Sequence, residues 1–75
     1  MRIVISYDIS DDRRRSKIAR ILEGHGYRVQ YSVFECDLDQ KSLNALKKRL
    51  RALVKADRME SVRFYLIRGL RIMWI

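Results

Sequence analysis

One carboxylate stands where metal-assisted chemistry could use it. Asp8 closes the apolar run Arg2–Asp8 (RIVISYD), immediately before residues that start a helix. A carboxylate at the end of such a run must find water, a donor, a cation or a metal, because burying it alone is costly. Mg2+ suits the position, since it takes oxygen ligands and commonly binds one or two carboxylates plus waters. One Asp per chain is a sparse site, but a two-fold axis beside Asp8 would bring two carboxylates together. The alternative is structural: an Asx turn or cap carboxylate at the strand-to-helix corner. Position alone leaves both readings open.

The second chemical feature is a concentration of cations. Asp11 and Asp12 read as capping and helix-dipole residues, and Arg13, Arg14, Arg15 and Lys17 follow at once. Cations are unfavourable at a helix N-terminus, so local stability does not explain them. Arginines beside free backbone N–H groups make an anion site instead, with phosphate the obvious anion. Arg28, after the Gly-His-Gly-Tyr turn, could join them in space. Lys47, Lys48, Arg49, Arg51, Lys55 and Arg58 cover the polar side of a second helix and read as backbone-tracking charges without base-reading content. His25 could serve as an acid or base, yet a lone His between two glycines reads as an exposed loop residue. Tyr31 and Phe34 read as core rather than stacking platforms. No phosphate-loop motif, Ser-His-Asp set or metal-type His/Cys spacing is present.

Charge balance points the same way. The 75 residues carry 17 Lys plus Arg against 9 Asp plus Glu, a net charge of +8. Residues 41–58 alone hold seven basic groups and one acidic group, and residues 11–24 hold five and three. That is the footprint of a phosphate-backbone partner. A membrane surface fits less well, because no wide Trp/Phe/Leu face flanks the basic stretches. No apolar run approaches the ~20 residues of a membrane span, and a cytoplasmic protein is expected. A single cysteine, Cys36, excludes an intramolecular disulfide and a Cys-rich zinc site.

The elements that must position these residues can be read from periodicity. Arg2–Asp8 alternates, with Ile3, Ile5 and Tyr7 on one face and Val4, Ser6 and Asp8 on the other. Ile18, Ala19, Ile21 and Leu22 recur at helical spacing after the Ser10-Asp11-Asp12 cap. Gly24 and Gly26 are expected to end that helix through left-handed geometry. Arg28–Leu38 reads as one long bent strand or two short strands broken near residues 30–32. Asp39 caps a helix carrying Leu43, Leu46, Leu50, Leu53 and Val54. Residues 61–67 form a strand, Gly69 a turn and residues 70–75 (LRIMWI) a last extended run.

This order predicts one α+β domain over residues 1–75, a ferredoxin-like βαββαβ fold with a C-terminal fifth strand. Its antiparallel sheet carries both helices on one face. Strands apolar on both faces leave the second face in need of cover. A two-fold homodimer is therefore expected, with sheet faces meeting and residues 70–75 adding to the partner's sheet. The competing expectation is a fifth strand within the chain.

Three blocks together resemble a known family: residues 4–15 (VISYDISDDRRR), 26–35 (GYRVQYSVFE) and 61–65 (SVRFY). They are similar to the small CRISPR-associated endoribonucleases, the ferredoxin-like subunit of the spacer-acquisition complex. The resemblance implies a homodimer with facing sheets, and Asp8 as the Mg2+ ligand contributed by both chains. It implicates Tyr7, Arg15, Lys17, Arg28 and Phe34 in nuclease work on RNA or duplex DNA. It also implies a DNA-binding scaffold whose dimer bridges two dimers of the CRISPR integrase subunit. A non-catalytic nucleic-acid scaffold and a toxin-type ribonuclease of related fold are the alternatives. An RNA-recognition module shares the element order, but the exposed aromatics it needs on the central strands do not appear in this sequence.

Overall fold

The structure, a computed structural model, describes residues 1–67 and the backbone of residues 71–74. Strand β1 (Arg2–Asp8) is followed by helix α1 (Asp12–Glu23) and the hairpin of β2 (Gly26–Gln30) and β3 (Val33–Asp37). Helix α2 (Gln40–Arg51), a 3-10 turn at Ala56–Arg58, β4 (Ser61–Leu66) and β5 (Arg71–Trp74) complete the order. The strands form one sheet in the order β2-β3-β1-β4-β5, with every neighbouring pair antiparallel. The chain is thus α+β and ferredoxin-like, with the added fifth strand.

Alternation along β1 sorts its side chains. Ile3, Ile5 and Tyr7 are buried against the helices, whereas Val4 and Ser6 are half-exposed and Asp8 is exposed. Ile5 lies opposite Phe34 of β3 and Phe64 of β4, and none of the three is exposed at all. Ile18, Ile21 and Leu22 of α1 and Leu43, Leu46 and Leu50 of α2 close this core from one side. Leu53 and Val54, expected at the end of the second helix, lie past its C-cap Ala52 and still pack on the core. Both helices begin as their acids dictate: Asp11 accepts from the Arg14 backbone N–H at 2.9 Å, and Asp39 from that of Ser42 at 2.7 Å.

One expectation changes. The glycines do not end α1 by left-handed geometry: Gly24 is right-handed, and among the described residues the one other than glycine with positive φ is Met59, at 59°. Gly26 is required instead by close approach, since a Cβ there would stand 2.1 Å from the Glu35 carbonyl oxygen. Residues 71–74 pair with β4 of their own chain, Arg63 opposite Trp74 and Leu66 opposite Arg71. Within the chain the segment is thus a fifth strand on the outer edge of β4. The physical reason is proximity, because the free edge of β4 is the nearest template for the segment that follows it. The Gly69 turn and residues 70 and 75 lie outside the described residues.

Candidate nucleic-acid and metal site

The residues singled out from the sequence fall into three groups in space. Asp8 stands alone at the end of β1, exposed and opposite Ser61, on the sheet face that no helix covers. Tyr7 precedes it and leaves the strand on the other face, where it joins Phe34, Arg28 and Arg15. The remaining cations lie on α1, on α2 and in the segment that follows it.

Strand register assembles the second group. Arg28 of β2 pairs opposite Phe34 of β3, so both side chains leave on the helix side, and the register shifts just beyond Arg28. The Arg28 guanidinium lies 5.2 Å from the centre of the Phe34 ring. The Tyr7 ring stacks on the same Phe34, with centroids 6.3 Å apart. Burial pushes the Tyr7 hydroxyl above its ordinary pKa, and the charge and hydrogen bonding of Arg28 oppose that shift. Tyr7, Arg15, Ser16, Ala19, Arg28 and Tyr31 line a cleft of about 180 Å3. Arg15 is anchored there, donating to the Ile9 carbonyl at 3.0 Å and pairing with Asp12.

Phe34 is fully buried, so it cannot touch a nucleic acid and acts by holding Arg28 and Tyr7. Tyr31 runs against expectation in the other direction: it is 70% exposed at the cleft mouth. A position in the turn between β2 and β3, outside the sheet's alternation, is the sequence signal for that exposure.

Arg14 leaves the phosphate-facing set. Its guanidinium binds the Glu60 carboxylate through both terminal nitrogens and also donates to the Leu53 carbonyl at 2.9 Å. Only 15% of its side chain is exposed. Glu60, absent from the sequence reading, is almost wholly buried and also accepts from the Ser10 hydroxyl and from the backbone N–H groups of Ser10 and Lys55. Arg14 in particular holds the Glu60 carboxyl well below the usual carboxylate range, against the opposing effect of burial. An acid set directly before an apolar strand, in a chain with an arginine-rich helix start, was the available signal. The pair ties α1 to the segment between α2 and β4, which is structural work.

The helix cations separate likewise. Lys47 is half-buried with its ammonium 5.8 Å from the Phe64 ring centre, so it lies against the core and not along an outer track. Lys48, Arg51 and Lys55 are exposed, as are Arg13 and Lys17 on α1. His25 is half-buried, its Nδ1 2.9 Å from the Ile21 carbonyl oxygen. Among the described residues no group of three or more His, Cys, Asp or Glu is placed to hold a metal ion. No helix among them is long and apolar enough to cross a membrane.

Fold and site together define a small ferredoxin-like protein with a basic helix side and a strand-end carboxylate on its open face. Comparison with known proteins places it more closely. The model of the family "CRISPR associated protein Cas2" matches residues 1–71, and the chain belongs to that family. It is 56% identical over 66 residues to "CRISPR-associated endoribonuclease Cas2 3" of Synechocystis, covering 88% of this chain and 71% of that one. It is 45% identical over 65 residues to "CRISPR-associated endonuclease Cas2 2" of Thermus thermophilus, covering 87% and 71%. Among solved structures, Streptococcus pyogenes Cas2 superposes with a TM-score of 0.81 at 30% identity, covering 89% of this chain and 86% of the other. A hypothetical protein from Thermus thermophilus does so with a TM-score of 0.84 at 39% identity, covering 99% and 90%. Membership in this family sets aside the toxin-type ribonuclease and the RNA-recognition module.

Proposed function

We propose that the chain is a CRISPR adaptation protein: a homodimeric, Mg2+-dependent endonuclease acting on RNA or DNA, and a duplex-binding scaffold for the integrase subunit. The observation that carries the reading is the placement of Asp8. It is an exposed carboxylate at the end of a central strand, on the face that the helices leave open. Val4, Val33 and Tyr65 are half-exposed on that same face. A second copy packed there would cover them and bring two Asp8 carboxylates toward one axis.

Mg2+ commonly takes one or two carboxylates plus waters, and Asp8 of each protomer would hold the ion between them. When bound, the ion supplies positive charge to the phosphodiester and lowers the pKa of a coordinated water. The chain's own residues supply the phosphate contacts. Arg28, backed by the Phe34 ring and flanked by the Tyr7 hydroxyl, presents a guanidinium in a fixed orientation. Arg15, held by Ile9 and Asp12, faces the same cleft. Tyr7 and Asp8 leave β1 on opposite faces, so the cleft holds nucleic acid around the strand end while the carboxylates meet across the axis.

A scaffold without catalysis is the second reading, favoured by the exposed Lys48, Arg51 and Lys55 of α2 and the loop after it. Purified wild type and Asp8→Asn should be compared for Mg2+-dependent cleavage of single-stranded RNA and duplex DNA, with duplex affinity measured alongside. The nuclease reading expects cleavage to vanish in Asp8→Asn while affinity changes only a few-fold. Cleavage retained by the variant overturns the catalytic assignment. Binding without cleavage by the wild type leaves the scaffold.

A further inference from the structure

One buried carboxylate is tied to more groups than an ion pair requires, and it sits beside Asp8. Glu60 is 5% exposed and stands directly before β4. One of its oxygens accepts from the Ser10 backbone N–H at 3.0 Å, the Ser10 hydroxyl at 2.6 Å and Arg14 Nη2 at 2.7 Å. The other accepts from the Lys55 backbone N–H at 3.0 Å and from Arg14 Nη1. Ser10 is two residues beyond Asp8, and Ser61, which follows Glu60, is the residue paired with Asp8 across the sheet. A single side chain thus joins the segment that leaves Asp8 to the segment that enters its partner strand.

Asp8 needs such a tie. β3 accompanies β1 only as far as Ser6, with one more bond from the Tyr7 N–H to the Ser32 carbonyl at 3.1 Å. Among the described residues, β4 is the one strand paired with Asp8. A strand end held on one side opens readily unless something fixes the chain beyond it. Here Arg15 donates to the Ile9 carbonyl and Glu60 holds Ser10. Stability alone is a poor reason for the arrangement, because apolar side chains of similar volume in place of a buried ion pair are often neutral or stabilising. The backbone gives a second, separate indication. Met59, immediately before Glu60, has a φ of 59°, a left-handed geometry that is uncommon outside glycine. Its side chain is 89% exposed, so its own packing does not impose that turn. Such a conformation persists where the surroundings over-determine it, and this one delivers Glu60 to Ser10 and Arg14.

We infer that Glu60, acting through Ser10, is a positioning residue for the Asp8 carboxylate. The inference rests on the Mg2+ reading of Asp8 proposed above and adds to it the side chains that aim the ligand. Glu60 is buried and both its oxygens are occupied, so it acts on the ion only through the chain it holds. Metal sites tolerate ligand displacements of only about 0.2 Å, and the contacts that support a ligand matter nearly as much as the ligand. In a two-fold dimer any shift of Asp8 occurs in both protomers, so the gap between the two carboxylates changes by up to about twice that shift.

The test is direct binding of Mn2+, read from the electron paramagnetic resonance of the free ion, since Mn2+ takes the same octahedral oxygen sites as Mg2+. Wild type, Asp8→Asn, Glu60→Ala, Ser10→Ala and Asp39→Ala are compared where each is folded, with light scattering to report the dimer. Asp39→Ala removes the α2 cap, which lies toward the Arg2 end of β1, and controls for a general loss of stability. Asp8→Asn should abolish binding and Glu60→Ala weaken it about tenfold or more. Ser10→Ala, which loses one hydrogen bond and keeps the Arg14–Glu60 pair, should weaken it about three- to fivefold, and Asp39→Ala should leave it unchanged. Wild-type Mn2+ affinity in Glu60→Ala overturns the positioning role, and Ser10→Ala decides in its place if Glu60→Ala does not fold. A loss that tracks dissociation of the dimer, or that recurs in Asp39→Ala, overturns it too. Wild-type binding no different from that of Asp8→Asn overturns the Asp8 reading itself.

Discussion

Replacing Gly26 by alanine tests whether the β2–β3 ladder positions the cleft. Gly26 opens β2 opposite Cys36, and a Cβ on it would lie 2.1 Å from the Glu35 carbonyl oxygen, 2.7 Å from Cys36 Sγ and 2.9 Å from Cys36 Cα. Ordinary contact begins at 3.4 Å, so the nearest atom is more than 1 Å too close, and it is backbone that no rotamer change can move. On its other side β3 is bonded to β1, so the edge strand β2 must give way. Gly→Ala ordinarily stabilises by about 0.4–1 kcal/mol through the unfolded chain. Overpacking against a fixed wall costs about 1–3 kcal/mol, and here the wall is main chain, so the cost wins. For a domain of this size each kcal/mol is about 4–8 °C, and the expected fall in Tm is roughly 5–15 °C. Amide exchange should show lost protection across β2 and β3 with β1 and β4 less affected, because β2 can detach as an edge. Arg28, two residues on, loses its register with Phe34, so phosphate-dependent binding at the cleft should fall too. An unchanged or raised Tm with full protection in β2 would refute the close-approach reasoning.

Two further outcomes concern groups the structure ties together. The folded-state pKa of Glu60 is depressed, so its contribution to stability is complete above its ordinary value of 4.5 and is lost as pH falls below that toward the folded value. The Tm gap between wild type and Glu60→Gln should therefore be widest above about pH 5 and close on acidification; a gap that does not depend on pH counts against the Arg14–Glu60 assignment. Phe34→Leu keeps an apolar side chain but removes the ring beneath Arg28, and urea unfolding should show a loss of about 1–2 kcal/mol. A double-mutant cycle with Arg28→Ala should show coupling of about 0.5–1 kcal/mol from the ring–guanidinium contact, and additive losses would remove it.

Much of the architecture was legible because local rules and global packing agree here. Period-two alternation in residues 2–8 assigned Tyr7 and Asp8 to opposite faces, and the structure places them so. Asp11 and Asp39 announced both helix starts, since a cap depends on residues within one turn. Gly26 shows where local reasoning stops: glycine was expected for its backbone freedom, and it is needed because another strand passes within contact distance. The terminal strand shows the same limit, because an apolar hexapeptide cannot declare from its own composition which free edge it joins.

The site divides along the same line. Residue types, charge and the blocks shared with the family pointed, from the sequence alone, to Asp8, the arginines around residues 13–15 and Arg28 as candidates for phosphate chemistry. Which arginine faces solvent and which is locked inside was decided only by the tertiary structure. Arg14 and Arg15 are neighbours in the chain, yet one meets a buried Glu60 from 46 residues away and the other lines an open cleft. Arg20 and Arg49 came to line one groove only when two helices were laid side by side. A sequence states which charges exist; long-range packing determines which are neutralised within the fold and which are left to bind an anion from outside.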